Sequence, residues 1–527
     1  MTGCGNPEQE ESEVPGITPA ISSNPTSEPE KKEEVKKEEE VMKDYAELFK
    51  DIRLKVGEKF GSYSNPLMTQ RFGANPYAMV YEDTLYIYMT GDEPMYTPDG
   101  EVKENTYANI DTINVISSKD MINWTDHGSV HAAYTNGAAK WARNSWAPAA
   151  AWKMIDGKPK FFLYFANSGG GIGVLTADSP VGPFTDPIGK ELVSRHTPTC
   201  AEVLWLFDPA VFIDDDGSAY LYFGGGVPEG KAENPATARV VKLGDDMISL
   251  DGDPAVIEPP FLFEDSGINK IGDTYYYSYC SNFSVTAEGT EKYSLRNGEI
   301  CYMTSDSPMG PFTYRGMILP NPEKFFGIGG NNHHCIFEFA GEWYITYHAR
   351  MLEKDMGMNG GYRSTHIDRI TVNEDGTIAE GKATKGGVTP IKNLNPYEKV
   401  NAATIAFMYG VNTVASDETS KACGSGTMEV TEIEDGDWIC VRGADFGDTG
   451  ATQVTAGFFF ENATEGAIAI HLDSLKGEVA GYIPVTQAEN GTYFEVTAEL
   501  LNKITGVHDL YFRFAGSGYE WDYWQFK

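Results

Sequence analysis

The chain has 527 residues, 12% of them aromatic, with 56 glycines and a formal net charge of −36. A chain of this length exceeds a single core and predicts two or three domains. Residues 8–40 hold eleven Glu and four Lys and supply only −7 of the charge, so the acidity is global. That excludes a polyanionic partner such as nucleic acid, which needs clustered Lys and Arg, and leaves neutral polymers open.

The opening MTGCGN resembles the end of a bacterial lipoprotein signal, with Cys4 as the lipidated residue. Residues 1–44 read as that start followed by a disordered acidic tether, because Pro, Ser, Glu and Lys cannot bury enough apolar surface to offset ordering entropy. The expected location is therefore extracellular or at a bacterial cell surface, with membrane contact only through a lipid on Cys4. No apolar run reaches the ~18–20 residues of a membrane-spanning helix. The seven cysteines form no CxxC pair, which argues against a metal–thiolate cluster.

From about residue 65 the chain repeats itself. Five aromatic strands recur: TLYIYMT at 84, KFFLYFA at 160, SAYLYFG at 218, DTYYYSY at 273 and EWYITYH at 342. Most follow a polar turn, and before each turn lies an earlier strand. Two later pieces nearly coincide, TADSPVGPFT at 176–185 and TSDSPMGPFT at 304–313. Five such units predict an all-β chain whose residues 45–395 form a five-bladed β-propeller. From 396 to 527 short alternating strands predict a β-sandwich of jelly-roll type.

Aligning the repeats brings GANPYAM, SWAPAAA, FDPAVF, FEDSGIN and NNHHCIF to equivalent places at the start of each innermost strand. Asn75, Trp146, Ala147, Asp208, Glu264, Asn332, His333 and His334 then converge on one mouth. Taken singly, an Asp before a Pro belongs to a turn and a His pair to packing; the shared phase is what points to a site. Two carboxylates across a pocket are the minimum for glycoside hydrolysis. One must stay protonated to donate to the leaving oxygen, and burial or a neighbouring anion keeps it so. An inverting enzyme also needs a base on the other face of the sugar, and Asn75 is an amide.

The stretches RFGANPYAMVY, NSWAPAAAWK, WLFDPAVFIDDDGSAYLYFGGGVP, FEDSGINK and GGNNHHCIFEF resemble glycoside hydrolase family 43, and within it the arabinoxylan arabinofuranohydrolases, over roughly 63–392. The resemblance implies an inverting hydrolase that removes α-L-arabinofuranosyl branches from arabinoxylan. It also implies Glu264 as general acid and Asp208 as the carboxylate that tunes and orients it. The family's base is the Asp of an ADP motif, which here reads Ala74-Asn75-Pro76. His333, or less so His334, matches a histidine beside a calcium ion on the propeller axis, an ion expected to be held largely by waters. Asn332 and Arg363 match sugar-hydroxyl contacts, and Trp146 and Phe283 are candidate apolar walls. A β-xylosidase or endo-xylanase of the same family is the neighbouring reading, and a monomer is expected.

The C-terminal part resembles carbohydrate-binding module family 6, from YEKV through EDGDWI and GVHDLYFRF to WDYWQF. Its usual ligand positions fall on Glu432, Thr492 or Tyr493, and Glu520, so a structural role competes with binding. Tyr519 and Trp521 are an alternative sugar surface. Three readings of Asn75 stand together: an Asp→Asn change that removes the base, a propeller that binds without turnover, or a base supplied by Asp92 or Glu93.

Overall fold

The computed structural model describes residues 45–59, 61–416, 428–460, 465–485 and 492–527. Cys4, Cys423 and the expected tether over 1–44 lie outside the described residues. Five antiparallel sheets follow one another along the chain as the blades of a propeller. Blade 1 is Gly73–Tyr81, Thr84–Gly91, Thr112–Ser118 and Trp124–His131, and blade 2 is Trp146–Ile155, Lys158–Ala166 and Ile172–Ala177. Blade 3 is Ala210–Ile213, Ala219–Phe223, Ala238–Leu243 and Ala255–Ile257. Blade 4 is Leu262–Ile271, Thr274–Ser281, Ile300–Ser305 and Thr313–Leu319, and blade 5 is His334–Phe339, Glu342–Ala349 and Ser364–Arg369.

The repeated aromatics pack blade against blade. The two near-identical SPxGPF turns do the same job twice. The Tyr88 hydroxyl donates to the Pro180 carbonyl, and Tyr222 to Pro308, each at 2.6 Å. Each tyrosine thereby satisfies its buried polar end on the turn of the next blade. The ring closes through Asn65. Its amide nitrogen donates to the carbonyls of Ile367 (2.9 Å) and Thr384 (2.8 Å), and its oxygen accepts from the Ile367 N–H.

The innermost strands carry the feature that builds the site. Register slips between Ala74 and Tyr77, between Trp146 and Ala149, and between Glu264 and Gly267. The residue after each slip begins has a left-handed backbone: φ is 48° at Asn75, 40° at Ala147 and 74° at Asp265, with 50° at the matching Asp208. Asn and Asp tolerate this region better than most residues, and such bulges re-aim side chains.

The second module is one curled sheet. Its halves meet through a single pairing, Gly481 with Leu500, and enclose Phe458, Phe512, Phe514, Trp521, Trp524 and Phe526. Trp521 is fully buried and Tyr519 is 2% exposed, so neither offers a sugar surface. Both are core residues because alternation on Tyr519–Phe526 turns them inward. Glu520 accepts from the Thr431 hydroxyl, while Tyr493 is exposed and donates to Asp522.

Leu48–Lys527 forms one compact unit. Propeller and module are sewn together inside that unit. Thr404–Ile405, from the module's side, adds a fifth strand to blade 1 by pairing with Thr125 and Trp124. The segment after Leu48 was expected to belong to the propeller. It packs on the module instead: the Lys55 carbonyl accepts from Trp438 Nε1 at 3.0 Å, and Lys55 Nζ lies 3.3 Å from Asp437.

Asp126 is the polar knot of this seam. It is 1% exposed and pairs with Arg71, and it accepts from the Thr413 hydroxyl (2.6 Å), the Gly128 N–H (2.8 Å) and Gln70 (3.2 Å). Burial pushes its pKa up, but Arg71 and these hydrogen bonds outweigh burial and hold it below the usual carboxylate range. Its contribution is therefore complete above pH ~4 and lost as pH falls below that. Asp126→Ala is expected to destabilise the protein by ~3–5 kcal/mol and to split one urea transition into two, read by tryptophan fluorescence.

Candidate active site

The bulges place residues from all five blades in one hydrogen-bonded cluster. Blade 1 supplies Asn75, which is 7% exposed. Its side-chain nitrogen donates to Thr90 Oγ1 at 2.9 Å, and its oxygen accepts from Arg363 Nη1 at 3.3 Å. Arginine only donates, so the amide orientation is dictated. Thr90 also accepts the Ala147 N–H of blade 2 at 2.9 Å.

Blade 3 supplies Asp208, whose Oδ2 accepts the Asp265 N–H of blade 4 at 3.1 Å. Blade 4 also supplies Glu264, whose Oε1 accepts from Asn331 Nδ2 at 3.0 Å. Repeat alignment paired Glu264 with Asn75 and Asp208. The register corrects this by one residue: Asp265 is the true equivalent, and Glu264 matches Ala74 and Trp146. The adjacent Asp concealed the offset.

Glu264 is 6% exposed. Burial pushes its pKa up to about 7, with the Asp265 charge adding to this and Asn331 and Arg363 opposing it. Burial likewise raises Asp208 well above the usual range, with Glu264 and Asp265 adding to it. Near neutral pH this cluster therefore retains a proton, which is the state a proton donor to a leaving oxygen requires.

Arg363 was expected to touch sugar. It is 4% exposed and committed to protein. Its Nε and Nη2 donate to the two oxygens of Asp92 at 3.1 and 3.0 Å, and its guanidinium lies 4.7 Å from the centre of the Tyr107 ring. Asp92 is fully buried and also accepts from Asn105 at 2.6 Å, so it is an ion-pair partner and not a free base. Its neighbour Glu93 is exposed. Asn332 was likewise expected at the sugar, but it is fully buried and donates to the Gly298 carbonyl at 3.1 Å. Trp146 is half-buried, its indole N–H donating to the Tyr107 carbonyl at 3.0 Å. Phe283 is 46% exposed and meets Phe263 edge-on at 5.3 Å, so it keeps a free apolar face.

The two histidines differ. His334 is corrected as a metal ligand because both its ring nitrogens are engaged, Nδ1 by Asp265 and Nε2 by Ser278 at 2.7 Å. His333 lies with Nε2 3.1 Å from Asp265 Oδ1 and Nδ1 3.7 Å from Asp208. Burial holds both imidazoles neutral, His334 at about 3. Calcium takes six to eight oxygens. Here one carboxylate oxygen without a hydrogen-bond partner, Asp265 Oδ1, faces one imidazole, and among the described residues no three His, Cys, Asp or Glu are grouped to hold a metal. With so few protein oxygens beside His333, a calcium ion there would be held largely by waters.

Sequence reasoning missed Asp265, Thr90, Asn331, Tyr107 and His348. His348 is the last residue of the EWYITYH repeat, which was its one visible signal.

A propeller with a proton-retaining pair of buried carboxyls at its mouth has the equipment of a glycoside hydrolase. The model for glycosyl hydrolases family 43 matches residues 63–378, and that for carbohydrate binding module family 6 matches 401–527. The chain belongs to glycoside hydrolase family 43. It is 49% identical to an arabinoxylan arabinofuranohydrolase of Paenibacillus polymyxa, covering 89% of this chain and 75% of that one. It is 50% identical to the Bacillus subtilis (strain 168) arabinoxylan arabinofuranohydrolase, covering 88% and 92%. A crystal structure of a family 43 arabinoxylan arabinofuranohydrolase from Bacillus subtilis, in complex with cellotetraose, superposes with a TM-score of 0.85 at 49% identity over 90% of this chain and 99% of that one.

The raised pKa of Glu264 sets a stability test. A carboxyl raised in the fold contributes its stability below its unfolded pKa and loses it as pH climbs through about 7. Glu264→Gln is therefore expected to match the parent's melting temperature near pH 5 and to exceed it at pH 8, checked by calorimetry.

Proposed function

We propose that this chain is an arabinoxylan arabinofuranohydrolase architecture, inverting in stereochemistry, whose base position is filled by an amide. Glu264 protonates the leaving glycosidic oxygen. Asp208 shares the proton pool with Glu264 and orients it. Water attacks from the opposite face, where a carboxylate at position 75 would accept its proton. Asn75 holds the water's place but cannot take that proton, so turnover is slow.

The observation that carries this reading is the surroundings of Asn75. Its Oδ1 faces a buried guanidinium and its Nδ2 faces a hydroxyl. A carboxylate fits the same two partners without rearrangement, since Thr90 then donates instead of accepting. Arg363 would also hold such a carboxylate ionised. The relatives that span most of the chain carry the arabinoxylan assignment. A polymeric substrate of this kind requires an extracellular or surface location, consistent with lipidation at Cys4. The amide itself favours one second reading, a propeller that binds sugar without hydrolysis.

Arabinose release from arabinoxylan, compared between this chain and Asn75→Asp, separates the two. The Asp form is expected to be faster by about 10²–10⁴-fold. Equal, substantial rates would remove position 75 from the chemistry. Binding without release by either form would make the protein a reader of sugars.

A further inference from the structure

His348 lies between the two halves of the site and is 1% exposed. Its Nδ1 is 3.1 Å from the backbone nitrogen of Asn75. A backbone N–H only donates, so Nδ1 carries no proton. Its Nε2 is 2.9 Å from the Asn331 carbonyl, which only accepts, so Nε2 carries the proton. The two partners together admit one neutral tautomer. Asn331 then donates through its side chain to Glu264 Oε1 at 3.0 Å. One imidazole from blade 5 thus ties residue 75 of blade 1 to Glu264 of blade 4.

We propose that His348 is a positioning residue that sets the placement of Glu264 relative to residue 75, acting through the Asn75 backbone and Asn331. It touches none of the reacting atoms. The inference rests on the reading of Glu264 as acid and position 75 as base site. Backbone closure alone does not require a histidine here: Ala166 ends the matching strand of blade 2. What an alkyl side chain lacks is the acceptor and donor pair that joins the two blades.

Three substitutions separate the two links. His348→Leu removes both. His348→Asn keeps an acceptor near Nδ1 and loses the donor. His348→Gln keeps a donor near Nε2, and with it the path to Asn331 and Glu264. The variants are made in the chain carrying Asn75→Asp and compared on arabinoxylan oligosaccharides and on a dinitrophenyl arabinofuranoside, whose leaving group needs little protonation. His348→Leu is expected to lower kcat by about 10²-fold on the oligosaccharide, the scale of a misplaced group. Its expected effect on the activated substrate is several-fold, with KM unchanged on both. His348→Gln is expected to recover most of the oligosaccharide loss and His348→Asn little of it.

Equal losses on the two substrates, or equal rescue by Asn and Gln, would overturn the proposal. Glu264→Gln runs alongside: if it shows no leaving-group dependence, the acid assignment has failed and not the link. ¹⁵N NMR of the histidine-labelled, unsubstituted protein gives a readout that needs neither turnover nor a folded variant. It is expected to show His348 protonated at Nε2 alone, and the opposite tautomer or an imidazolium would overturn the proposal.

Discussion

The site is organised around one buried cation. A guanidinium out of contact with water is tolerated only if its donors are met and its charge is balanced. Arg363 achieves this by placing Nε and Nη2 on Asp92 and its flat face on Tyr107. Its backbone N–H also donates to Asp92, at 2.8 Å. That clamp joins blade 5 to the loop after the second strand of blade 1. It leaves Nη1 aimed at Asn75 Oδ1, so this side chain is oriented by a buried ion pair.

The remaining carboxyls are distinguished by their partners. Asp92 has a full counter-ion and a fixed amide neighbour. Asp208 receives one backbone N–H, and Asp265 receives the backbone and ring of His334. Glu264 has only the Asn331 amide. All four are buried, and Asp92 alone has a cation paired to it. Burying acids in this way opposes folding, and the aromatic packing between blades offsets it.

The second module has a structural part whatever else it binds. It completes blade 1 with Thr404–Ile405, shares Asp126 through Thr413, and receives the segment after Leu48. Its large aromatics fill its own core, and Tyr493 remains as an exposed ring beside Asp522. These contacts brace blade 1, the bearer of Asn75 and Asp92, against the module.

Periodicity in the sequence determined the five blades, because each blade repeats the same alternation of buried aromatics and polar turns. It also determined which strand starts face the axis and hence that Asn75, Asp208 and Glu264 meet. Local pattern ended there. The one-residue offset at Glu264 and Asp265 depends on where a bulge inserts its extra residue, and two adjacent acids look alike in a string. Whether Arg363 and Asn332 reach sugar or protein depends on burial by distant segments. The role of His348 depends on Asn75 and Asn331, which lie 273 residues before it and 17 before it in the chain. Such contacts arise only when the ring closes, since closure is what brings the first blade against the last.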